Sequence, residues 1–118
     1  MTEPAKCDIL IVIPKRDELV STAAVFEFDA NNPEVTLDGG DQLYECWLTT
    51  LASLEIAIFL GNTQDKAGLA LATTMALSAF DPAVAFCIGT AAGREGETSY
   101  LDVVLAKAVL DATEWRPK

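Results

Sequence analysis

This sequence predicts an α/β fold: a mixed, mostly buried sheet of about five strands with helices on its faces. Three observations lead there. Residues 8–13 (DILIVI), 54–60 (LEIAIFL) and 83–88 (AVAFCI) are nearly unbroken apolar runs of strand length, as strands covered on both faces require. Between them stand segments of helical period, residues 15–26 and 64–80. The chain has 118 residues, 51% of them hydrophobic and 22% charged, which is enough for one core and too little for two. Residues 1–118 are therefore read as a single domain.

In chain order, the first strand ends at Pro14. In the helix after it, Leu19, Ala23 and Phe26 form one stripe, with Val20 and Ala24 beside it, and Asp17 and Glu18 lie in the first turn, where the helix dipole favours negative charge. Turn signals at Asn31-Asn32-Pro33 and Asp38-Gly39-Gly40-Asp41 enclose the short segment 35–37, which reads as a surface excursion. Residues 43–49 and 54–60, joined by a turn near Ala52-Ser53, form an antiparallel hairpin. The second helix, 64–80, is lined with small residues that let it lie close to the sheet, and Asp81-Pro82 stops it. Residues 83–88 are expected to be a buried strand, 89–99 a glycine-rich loop and 101–109 a last strand, without a neighbour on its outer side.

Composition excludes several classes of function. A formal net charge of -10 opposes binding to nucleic acid phosphates. No apolar run is long enough to span a bilayer, and the start, MTEPAKCD, is unlike a secretion signal, so a cytoplasmic protein with no membrane partner is expected. Three widely spaced cysteines and no histidine make a disulfide framework, a metal site or a histidine-activated nucleophile poor readings. Cys46 and Cys87 lie in apolar runs and are expected to be small buried hydrophobes. Any chemistry falls to carboxylates, hydroxyls, lysines or backbone, with no cofactor implied.

Three stretches sit where open α/β sheets hold ligands, at the carboxyl ends of strands. In Pro14-Lys15-Arg16-Asp17-Glu18, a carboxylate can activate a water or bind a ribose hydroxyl, or Asp17 and Glu18 simply satisfy the helix terminus. Gly61-Asn62-Thr63-Gln64-Asp65-Lys66 can receive an anion at a helix start, yet it has one glycine and an added carboxylate, and an ordinary capped helix explains it too. In Gly89-Thr90-Ala91-Ala92-Gly93, Thr90 is the only side chain able to bond a ligand directly, while Arg94 and Glu95 read as a solvated loop tip.

The order of these motifs resembles the amino-terminal half of the purine and uridine phosphorylase superfamily, in particular its methylthioadenosine and adenosylhomocysteine nucleosidase branch. DILIVIPKRDEL is similar to the family's first strand and acidic turn, and KAGLALATTMALSAFDPAVAFCIGTAAG to its helix, proline and glycine-rich strand end. YLDVVLAKAV is similar to its Gly-Asp-Val-Val-Val-Ala segment. The resemblance implies a partial nucleoside-phosphorylase-like fold and a purine nucleoside or nucleotide-like ligand. It places Glu18 where the nucleosidases carry the carboxylate that activates the attacking water, and Thr90, Ala91, Ala92 and Gly93 on the segment lining the ribose and base pocket. Glu18 and Cys87 occupy places where phosphorylases hold phosphate with arginines, so hydrolysis fits better than phosphorolysis.

The chain departs from the family at Ala92 and Leu101, both glycines there, and in GNTQDK, which lacks the usual glycine pattern. The family's second half, with its ribose-binding glutamate segment and base-protonating aspartate, has no counterpart here, so the chain is expected to be incomplete as a catalyst. Bacterial relatives with such a loop are often joined to signalling or effector domains. The other expectation is accordingly a non-catalytic ligand-sensing or oligomerisation module, a homo-oligomer or a domain fused to a partner.

Overall fold

Aliphatic runs too apolar to face water pair side by side here, and the computed structural model describes the result for residues 6–40, 42–63 and 66–89. In chain order the elements are β1 (Ile9–Ile13), α1 (Arg16–Phe26), β2 (Val35–Asp38), β3 (Leu43–Leu51), β4 (Leu54–Leu60), α2 (Lys66–Phe80) and β5 (Val84–Cys87). They make a small α/β domain with one mixed five-stranded sheet, in the order β2-β3-β4-β1-β5, and two helices. β1 runs parallel to both β4 and β5, whereas β2-β3 and β3-β4 are antiparallel. The expected strand at 101–109 lies outside the described residues. Among the described residues no helix is long and apolar enough to cross a membrane.

Alternation along the strands sorts the core into two layers. Leu10, Val12, Cys46, Ala57 and Phe59 pack with Ala72, Ala76 and Phe80 of α2. Ile11, Ile13, Trp47, Ile56, Ile58 and Leu60 pack with Leu19 of α1 on the other face. β1 and β4 are thus covered on both sides, which is why neither shows polar alternation. Trp47 is fully buried; its indole N–H donates to the Asp29 carbonyl at 2.8 Å, and its ring lies 5.8 Å from that of Phe28.

Three expectations need correction. The segment 35–37 is no surface excursion: it is the core of edge strand β2, in register with β3 through Val35↔Cys46 and Leu37↔Tyr44, and Leu37 is buried. Four residues in length, it carries too little pattern of its own, and its partner defines it. β5 is not a buried strand, since Val84, Phe86 and Ile88 are 48%, 47% and 42% exposed. Among the described residues it pairs with β1 at the end of the strand order, so an apolar composition matching that of β1 comes there without the same cover. Cys87 on that strand is exposed as well, while Cys7 and Cys46 are buried.

The hairpin turn also departs from simple rules: Ala52 and Ser53 take φ of 50° and 68° without glycine or asparagine. A two-residue hairpin needs positive φ at its centre, and the twist of β3 and β4 imposes it.

Burial pushes the Cys46 thiol up to about 12, with the charge of Glu45 adding to the shift. The neutral thiol's contribution to stability is complete below the ordinary value of 9.0 and is lost as pH rises toward that of the folded state. Urea midpoints are therefore expected to fall between about pH 9 and pH 12, and Cys46→Ala should flatten that decline.

Candidate functional site

The ends of β1, β4 and β5 meet at one edge, held by backbone bonds to β1. Gly61 N–H donates to the Ile13 carbonyl at 2.8 Å, Thr63 N–H to Pro14 at 3.0 Å, and Ile88 N–H to Val12 at 3.0 Å. After β1 the chain turns to α1 on one face; after β4 it turns to α2 on the other. Adjacent parallel strands whose connections leave to opposite faces open a crevice between their carboxyl ends. Here it is a cavity of about 290 Å3 lined by Pro14, Lys15, Arg16, Asn62 and Thr63. A larger cavity, about 360 Å3, lies between residues such as Cys7, Leu48, Glu55 and Ile56, at the amino ends of β1 and β4 and away from these loops.

On the other side of β1, Glu18 reaches β5. Lys15 stays extended at φ -123°, ψ 150°, so that α1 begins at Arg16 and Glu18 falls in its first turn. The Lys15 N–H donates to Glu18 Oε1 at 3.2 Å, half of a capping box that fixes the carboxylate. Its other oxygen, Oε2, faces Gly89, where an added Cβ would come within 3.0 Å. A side chain at 89 would therefore crowd this oxygen, and the Glu18 carboxylate would have to move by a few tenths of an ångström.

Asp17 has a different task. Its Oδ1 accepts the Glu18 N–H at 2.9 Å, keeping that carboxylate on the helix end. Partial desolvation first, and the Glu18 charge second, hold the thiol of the otherwise exposed Cys87 above its ordinary range, in keeping with a carboxylate beside the β5 end.

The sequence-predicted residues are thus partly brought together. Glu18 adjoins the first residue of the glycine-rich loop, while Thr90, Ala91, Ala92 and Gly93 lie outside the described residues. Sequence reasoning missed the pairing of Lys15 and Arg16 with Asn62 and Thr63. Each pair was visible at a strand end, but only the strand order makes them neighbours. Arg16 is held in place by Glu45, with Nη1 at 3.3 Å from Oε1, and by an Nη2 hydrogen bond to the Ala30 carbonyl at 3.2 Å.

The chain has no match among family models, curated proteins or solved structures.

Proposed function

We propose that this domain binds a purine nucleoside at the carboxyl edge of its sheet, as the amino-terminal half of a nucleosidase-like fold, with Glu18 turned toward the ligand. The approach of the Glu18 carboxylate to Gly89 carries the reading, because it joins the one motif suited to activating water with the strand end suited to holding a sugar. In hydrolysis Glu18 takes a proton from water as the water oxygen bonds to the sugar's anomeric carbon. The bond from that carbon to the base nitrogen breaks, and its electron pair leaves with the base. A separate acid must then protonate the departing base, a role that Glu18 does not fill.

A second reading, a non-catalytic ligand-sensing or oligomerisation module, is favoured by a different observation. Residues 67–80 of α2 carry no charge, and Leu71 and Leu77 are 72% and 40% exposed on a helix whose other side packs on the sheet. A helix apolar on both sides is one that a partner covers.

One experiment covers both readings: the full chain is incubated with adenosine, methylthioadenosine and guanosine, and thermal shift, free base and molecular mass are recorded. A nucleoside at about 100 times its Kd should add about 2.7 kcal/mol to stability and raise Tm. Base release together with the shift assigns catalysis; a shift without it, in a particle larger than a monomer, assigns sensing and assembly. No shift with any nucleoside overturns the nucleoside reading.

A further inference from the structure

The geometry points to a phosphate-binding subsite in the crevice between β1 and β4, which makes nucleoside monophosphates the ligand class of the site proposed above; the inference rests on that reading. The chain has 8 Lys and Arg against 18 Asp and Glu, yet two adjacent cations, Lys15 and Arg16, line one cavity. Asn62 and Thr63 complete the lining with an amide and a hydroxyl, and none of the described lining residues is a carboxylate.

The two cations are not equivalent. Arg16 is already met by Glu45 and the Ala30 carbonyl, which fix its guanidinium and offset part of its charge. Lys15 gives its backbone N–H to Glu18, and among the described residues its ammonium makes no ion pair. Asp17 and Glu18 share that helix turn and Glu18 faces the β5 side, so toward the crevice Lys15 presents its ammonium beside an amide and a hydroxyl, a set of donors suited to an anion.

Placement makes that anion part of the ligand. Lys15 stands at the turn of the β1–α1 connection, with the crevice toward β4 on one side and the Glu18–Gly89 contact toward β5 on the other. A ligand lying across the end of β1 would set its sugar against Glu18 and its phosphate against Lys15. The two negative groups, carboxylate and phosphate, are then kept on opposite sides of the connection.

Titration calorimetry of the full chain at low salt tests this with adenosine, adenosine monophosphate and inorganic phosphate. The monophosphate is expected to bind about tenfold or more tightly than adenosine. Lys15→Gln should bring that ratio close to one. Lys6→Gln should preserve it, because Lys6 is an exposed cation paired with Asp81 and lining the cavity at the opposite edge. Phosphate binding that depends on Lys15, with no adenosine binding, supports the subsite and sinks only the nucleoside reading. Equal affinities for monophosphate and adenosine, an unchanged ratio in Lys15→Gln, the same loss in Lys6→Gln, or no binding of either anion overturns the subsite.

Discussion

Trp47→Ala is expected to destabilise the domain by about 3–5 kcal/mol, the range for removing a large aromatic side chain from a packed core. Trp47 is fully buried, at the level of Ile13, Leu19 and Ile58 in the layer under α1. Its loss would open a cavity there, and the Asp29 carbonyl would lose the indole N–H that reaches it at 2.8 Å. Domains of this kind have about 5–15 kcal/mol in total, so the variant should be largely unfolded under mild denaturant. Trp47→Phe separates the two contributions: it retains most of the apolar contact but removes the donor, and should cost about 1–3 kcal/mol. Urea denaturation followed by circular dichroism measures both. Equal losses in the two variants would mean that the Asp29 bond, not the packing, dominates.

Trp47 also illustrates what was legible in the sequence. Its strand was expected, but the loop residues 28–30 that wrap its ring and accept its N–H are read from the sequence only as part of an irregular stretch. β1, β4 and the two helices could be read because each repeats one signal over many residues: aliphatic continuity in DILIVI and LEIAIFL, helical period around Leu19 and Ala76.

The errors all concern position in the sheet. β5 and β1 have similar compositions and opposite exposure, because among the described residues one is at the end of the strand order and the other in its interior. β2 was too short to be told from a loop until its pairing with β3 gave Val35 and Leu37 an inward direction. The candidate site follows the same rule. Glu18 could be singled out as a first-turn carboxylate at a strand end. That it approaches Gly89, and that Lys15 lines one cavity with Asn62 and Thr63, depends on β1 lying between β4 and β5, and residue types do not encode that order.

Glu18→Gln is the substitution with the largest expected effect on function. A positioned general base contributes about 10²–10⁴ in rate, and glutamine takes up no proton from water; under the hydrolytic form of the proposed function, base release should fall by that factor. The fold gives this variant an internal control. Glu18 Oε1 accepts the Lys15 N–H in half of a capping box, and the amide oxygen of glutamine accepts the same bond. What changes is the negative charge in the first turn, worth about 0.3–1 kcal/mol, so that lost activity is not confused with lost fold. If Glu18 serves only to cap α1, base release in Glu18→Gln will equal that of the parent chain. If it serves as the base, Glu18→Gln and Glu18→Ala will be equally inactive, and only the alanine will lose the bond to the Lys15 N–H, at a cost of about 0.5–1.5 kcal/mol. Rate and urea midpoint measured on the two variants decide between a helix cap and a catalytic carboxylate.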